Sequence, residues 1–236
     1  DILMVADTFG AAGICLFEEP AIPDSVSRPR FSPYKNLGQF IDTRYSRDVV
    51  VNGPLRSMLV VRTMNWRTGK GFYEIEQYYT SYRNKSWSTC KAVFTTFMPE
   101  ENSVAFGCAM RSIMNEYDSR HAGGTVISYG RNVEIESPSP DESKEDRLRL
   151  VLDFEGLALV VKDKYRPEYR RIESYGGNHA FMVPANGERM FEYLFAGAWS
   201  EGLENRTAKE FSEYMRRTAL EFNNPLLFGG MTVEKK

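Results

Sequence analysis

Histidine and cysteine are the scarcest reactive residues in this chain, at two and three among 236. Cys15, Cys90 and Cys108 are odd in number and far apart, which suits neither a disulfide framework nor a zinc site, so buried free thiols are expected. With only His121 and His179, a transition-metal centre would have to borrow carboxylates from distant segments. Carboxylates are plentiful, but no D-x-D-x-D-G loop specifies calcium, so no metal or cofactor is expected. A dominant charge is also missing: 30 Lys+Arg stand against 32 Asp+Glu, a formal net charge of -2, with the basic residues scattered among acids. Such a surface gathers no phosphate backbone, and nucleic acid is not an expected partner. No apolar run reaches the roughly 18 residues that a membrane-spanning helix demands.

Familiar catalytic signatures are absent as well. There is no G-x-S-x-G elbow, phosphate-binding P-loop, H-E-x-x-H or paired C-x-x-C, which disfavours serine hydrolases, NTPases and zinc peptidases. Gly10-Ala11-Ala12-Gly13 is too short to cradle a dinucleotide. The chain starts at Asp1, so processing or a cut from something longer is expected, and Ile2 to Val5 already reads as a strand.

What is present is a core former, 42% hydrophobic and 13% aromatic, long enough to bury about 70% of its unfolded surface without disulfides or metal. Residues 6 to 56 are rich in breakers and read as a long loop-rich opening. The period then becomes two. From Arg56 to Trp66, alternation puts Met58, Val60, Arg62, Met64 and Trp66 on one face. Phe72 to Tyr82 sets Glu74, Glu76, Tyr78 and Tyr82 against Tyr73, Ile75, Gln77 and Tyr79, and Arg67 to Gly71 has hairpin chemistry. Trp87 to Phe97 and Val104 to Met110 complete an expected four-stranded meander. Further strand-length runs lie at 125–128, 133–136, 148–154, 157–161, 179–183 and 190–198, with an exposed loop expected at Ser137 to Glu145. Without βα alternation, about ten antiparallel strands in two packed sheets are the best reading. One helix is expected: Thr207-Ala208-Lys209-Glu210 is a capping box, Phe211, Met215, Ala219 and Phe222 follow at helical spacing, and Asn223-Asn224-Pro225 ends the run.

Two groups of residues invite a functional reading. Glu74, Glu76, Tyr78 and Tyr82, with Arg62 and Trp66 on the neighbouring strand, offer carboxylates, a guanidinium and aromatic platforms of the kind a saccharide cleft needs. The simpler reading is a solvated sheet face with ordinary cross-strand pairing. His121, in the glycine-bounded loop Asp118 to Gly124, and His179, entering a strand from Gly176-Gly177, could each move a proton near neutrality. The simpler readings are a solvated loop histidine and a strand-end histidine bonded to backbone. Tyr193 and Trp199 could be platforms, though aromatics in strands are mostly core.

The order of these features resembles a known family. Gly10-Ala11-Ala12-Gly13-Ile14, Asn52-Gly53-Pro54-Leu55-Arg56-Ser57, Tyr193-Leu194-Phe195-Ala196-Gly197-Ala198-Trp199-Ser200, the helix and Asn224-Pro225-Leu226 together resemble the bacterial domain-of-unknown-function family 4861, found among polysaccharide-degradation genes. The resemblance implies a mainly β, galactose-mutarotase-like antiparallel super-β-sandwich with one amphipathic helix near the C-terminus. It also implies a periplasmic, cell-surface or secreted bacterial protein, with residues 1–236 forming one sandwich domain that lacks an N-terminal portion of the family fold. That fold class serves mutarotases, lyases and glycoside hydrolase domains, so it leaves activity open.

The leading expectation is an enzyme acting on acidic, uronate-containing oligosaccharides by elimination, as a lyase or dehydratase. His121 or His179 would be the base, and Arg62 would stabilise enolate-like charge. Glu74 and Glu76 stand about 7 Å apart along one strand face, which keeps hydrolysis open. A non-catalytic glycan-binding or structural module is the second reading, and a sugar epimerase or mutarotase the third.

Overall fold

A computed structural model of the chain describes residues 8–22, 24–29, 43–100, 104–113, 115–131, 133–135 and 149–225. The strands are β1 (Gly13–Phe17), β2 (Val26–Ser27), β3 (Arg44–Asn52), β4 (Arg56–Thr68), β5 (Gly71–Tyr82), β6 (Trp87–Pro99), β7 (Ala105–Arg111), β8 (Glu116–Ala122), β9 (Thr125–Gly130), β10 (Val133–Ile135), β11 (Arg149–Val151), β12 (Glu155–Val161), β13 (Glu168–Ile172), β14 (Asn178–Val183) and β15 (Met190–Trp199). The helix α1 spans Ala208–Asn223. Among the described residues every strand pairing is antiparallel. The large sheet runs β3-β4-β5-β6-β15-β12-β9-β8, the small one β13-β14-β7-β1-β2, and β10 pairs with β11. The chain is therefore a mainly β, antiparallel sandwich with one helix near its C-terminus.

Alternation builds the core between the sheets. Phe106, Cys108 and Met110 of β7 and Phe181 and Val183 of β14 face Ile75, Phe94, Leu159, Phe191 and Tyr193 of the large sheet. The Phe106 ring bridges the layers, stacked on Phe94 at 4.5 Å and on Phe191 at 6.0 Å. Tyr193 is wholly buried here, so it packs the core and serves no surface platform, while Trp199 is half-buried at the end of β15. On the outer face of the large sheet, Gly156, Ala158, Ala196 and Ala198 form a shallow seat into which α1 lowers Phe211 and Met215. Burying two such side chains contributes about 1.5–3 kcal/mol each. The helix starts as its capping sequence requires, with the Thr207 hydroxyl accepting from the Glu210 amide at 3.2 Å.

Several expectations change in three dimensions. The opening segment is not simply loop: β1 and β2 build the small sheet, and β3 is the large sheet's edge. The four-stranded meander is β3-β4-β5-β6 rather than β4 to β7, because β7 crosses to the other layer and pairs with β1 and β14. The expected strand at residues 2–5 and the loop at 137–145 lie outside the described residues.

The most consequential difference is in β4. Its register with β5 shifts between Thr63 and Trp66, and Asn65 takes a left-handed φ of 57°. A bulge adds one residue and turns every following side chain to the opposite face. Arg62 stays on the outer face opposite Glu76, whereas Trp66, 2% exposed, points into the core against Tyr73 at 5.6 Å. The expected sharing of a face by Arg62 and Trp66 is thus corrected, and Trp66 is not a cleft platform.

Candidate functional site

The two sheets meet at one lateral margin, where β8 ends the large sheet and β13 ends the small one. Cross-strand pairing matches Arg171 to His179 and Tyr169 to Phe181, and the Phe181 side chain lies in the core, so Tyr169, Arg171 and His179 all face inward. On the opposing layer, His121 pairs with Val126 of the core, and Glu116 and Ser128 share that inward face. The tight β8–β9 turn that aims this hairpin depends on Gly123, whose φ of +53° favours glycine.

The hydrogen bonds form a relay. His179, 1% exposed, has its Nε2 2.7 Å from Glu116 Oε2 and its Nδ1 2.8 Å from the Tyr169 hydroxyl. Arg171 Nη1 also lies 3.0 Å from Nε2, but a guanidinium only donates, and the adjacent carboxylate is the acceptor that claims the Nε2 proton. Nε2–H therefore donates to Glu116, which leaves Nδ1 facing the Tyr169 hydroxyl. Glu116 is further held by the Ser128 hydroxyl and by Arg171 Nη1 at 3.3 Å. His121 lies on the Tyr169 ring, with centroids 4.0 Å apart and planes 8° from parallel.

Environment sets the charges. Burial would raise the Glu116 pKa, but hydrogen bonds from His179 and Ser128 and the nearby positive charge of Arg171 outweigh it, holding the carboxylate below its ordinary value. Burial raises the Tyr169 phenol above its ordinary value, with Glu116 adding and Arg171 opposing, so Tyr169 rests as a proton donor to His179. A hydroxyl bonded to an imidazole that is itself oriented by a carboxylate has the logic of a nucleophile–base–acid triad. Its products are a phenolate that can take a proton and an imidazolium steadied by Glu116.

The expected site residues therefore divide. His121 and His179 come together on Tyr169, although His121 sits on strand β8 rather than in a loop and His179 bonds to side chains rather than backbone. Glu116, Tyr169, Arg171 and Ser128 were not anticipated. No motif links them, and only their inward parity on strands that become neighbours after folding could have flagged them. Arg62 does not join the histidines; it lies on the outer face of the large sheet, paired with Glu76 at 2.9 Å and with Asp48. Tyr78 donates to Glu76 on the same face, and these bonds from Tyr78 and Arg62 overcome burial to lower the Glu76 pKa. Glu74 accepts from Thr96 at 3.0 Å, and Tyr82 is 39% exposed at the end of β5. Among the described residues no group of three His, Cys, Asp or Glu could hold a metal ion, and no helix is long and apolar enough to cross a membrane.

Comparison with known proteins adds a family to this geometry. The model of the domain of unknown function DUF4861 matches residues 1–227. The chain belongs to the DUF4861 family. No curated protein matches this DUF4861 chain. Among solved structures it is similar to the alpha-N-acetylgalactosaminidase NagBb from Bifidobacterium bifidum, studied as a quadruple mutant, with a TM-score of 0.43 and 12% identity. That match covers 76% of this chain and 31% of the enzyme, so the DUF4861 chain spans under a third of it, and a likeness this distant carries no argument about activity.

Proposed function

We propose that this protein acts on acidic oligosaccharides by elimination, using Tyr169, His179 and Glu116 as its proton relay. The observation that carries the reading is the continuous bonding of the Tyr169 hydroxyl to His179 Nδ1 at 2.8 Å and of Nε2 to Glu116 at 2.7 Å. In the reaction, Tyr169 passes its proton to His179 as its oxygen takes the proton beside the uronate carboxylate. The released electron pair forms the carbon–carbon double bond and the glycosidic carbon–oxygen bond breaks. His121, exposed and stacked on Tyr169, supplies the proton for the leaving oxygen. Arg171, 39% exposed, offers the guanidinium that meets the substrate carboxylate as enolate-like charge develops, the role that sequence had suggested for Arg62. Work in the periplasm or at the cell surface belongs to this reading through the family resemblance, and cell fractionation checks it.

The test is incubation with a panel of uronate oligomers, following the ultraviolet absorbance of the unsaturated product and the product masses. Elimination gives rising absorbance with no gain of water, and Tyr169→Phe or His179→Ala lowers turnover by about 100-fold or more. Tyr169→Phe retains the ring and guards against a variant that fails to fold. Products that gain water, or full activity in Tyr169→Phe, overturn the proposal. Glycan binding without turnover is a second reading, favoured by the outward Tyr78 and Tyr82, and binding with a flat absorbance trace would select it.

A further inference from the structure

The outer face of the large sheet carries a groove of about 740 Å³, on the opposite side of that sheet from the relay. Its floor is a row across the strands: register places Tyr78 of β5 opposite Lys91 of β6, and Lys91 opposite Glu192 of β15. One wall is the last turn of α1, with Phe222 and Glu221, and another is the β5–β6 turn with Tyr82, Lys85 and Trp87. Tyr82 and Trp87 form an aromatic corner, their centroids 5.5 Å apart and tilted by 59°. Lys85 lies over the Trp87 ring at 5.8 Å, and Lys162, paired with Glu192, lies over Phe222 at 4.8 Å. Glu221 reaches Lys85 only at 3.9 Å, and Lys91, exposed at the centre, has no ion-pair partner among the described residues. The groove volume falls within the roughly 300–1,000 Å³ of small-molecule sites.

We infer that this groove is a separate binding site for the carboxylated chain of a uronate oligosaccharide. The exposed ring of Tyr82 offers a face to the apolar side of a pyranose, Thr89 offers a hydroxyl partner, and the ammonium of Lys91 offers a counter-charge to a ring carboxylate. Three lysines against two glutamates leave the groove positive in a chain whose net charge is -2, so the acidic form of the sugar is favoured over the neutral one. The inference rests on the reading of the protein as one that handles acidic saccharides, but not on the relay. β8, which carries part of the relay, and β6, beneath the groove, stand four strand spacings apart, about 19 Å. The groove holds polymer while the relay cuts it.

The experiment uses the full chain carrying Tyr169→Phe, so that oligomers are not consumed, titrated calorimetrically with hexamers of galacturonate, glucuronate, mannuronate and guluronate and with neutral hexaoses. At least one uronate hexamer is expected to bind more tightly than its neutral counterpart. Tyr82→Ala and Lys91→Glu, both at exposed positions, should each weaken that binding about tenfold, the scale of one lost ring or cation contact in a desolvated site. Lys209→Glu, an equal change of charge on the first turn of α1, should leave it unchanged. Binding that survives both groove variants, equal affinity for neutral hexaoses, or no binding to any uronate hexamer overturns the inference. Elimination measured separately with Tyr169 intact judges the relay, so the two readings fail independently.

Discussion

Glu116 is the member of the relay whose removal has the most calculable consequence. In Glu116→Ala the Nε2 proton of His179, on a side chain 1% exposed, faces no acceptor, and the Ser128 hydroxyl loses its acceptor inside the sandwich. An unmet buried donor costs about 1–3 kcal/mol, and breaking a buried charged pair costs about 3–5 kcal/mol. Glu116 is 17% exposed, which discounts the upper figure, and Arg171 keeps Glu173 at 3.3 Å and adds little. The expected loss is about 3 kcal/mol in urea unfolding at neutral pH. Glu116→Gln keeps an acceptor oxygen for His179 and Ser128 but loses the charge and the oxygen that accepts from Arg171, a half-exposed partner, so about 1 kcal/mol is expected. The pH dependence separates the two effects. Because the folded carboxyl is held below its ordinary value, Glu116 contributes stability above the ordinary carboxylate range and loses it as pH falls through the depressed folded value. Wild type should therefore lose stability on acidification more steeply than Glu116→Gln. An alanine variant within about 0.5 kcal/mol of wild type, or identical acid slopes, would refute the bonding scheme drawn for His179.

Two further outcomes test the packing. A Cβ on Gly156 would stand 2.6 Å from Phe211 Cδ1 and 2.8 Å from Phe154 Cζ, so Gly156→Ala should push α1 off its seat and cost about 1–3 kcal/mol, read as a lower urea midpoint. Burial raises all three thiols, Cys90 to about 12, so the native protein should resist a thiol-specific reagent at neutral pH and yield three reactive thiols per chain once unfolded. Rapid labelling of the folded protein would contradict that burial.

Much of the architecture was legible in one dimension because its causes are local. Alternation over Phe72 to Tyr82 is a two-residue period that only a half-buried strand satisfies, and β5 spans Gly71–Tyr82. Thr207 and Glu210 sit three residues apart before an apolar stripe, and that spacing alone starts α1. Period two assigns faces only while it is unbroken. At Asn65 a left-handed residue adds a bulge, and Trp66 goes to the core while Arg62 remains outside. No side-chain pattern in that segment announces a change in backbone hydrogen-bond register.

The relay was still less legible. Its members lie at 116, 121, 128, 169, 171 and 179: Tyr169, Arg171 and His179 meet within the β13–β14 pair and Glu116 meets Ser128 within the β8–β9 hairpin, but Glu116 reaches His179, and His121 reaches Tyr169, only when β8 closes the large sheet against β13 and β14. Sequence by itself determined a β-sandwich core, a capped helix, three buried thiols and two histidines worth weighing. Tertiary structure alone decided that both histidines would share one tyrosine and that a glutamate from the other sheet would join them. Local periodicity fixes which way a side chain points, whereas its partners depend on which strands, far apart along the chain, the packing of two sheets brings side by side.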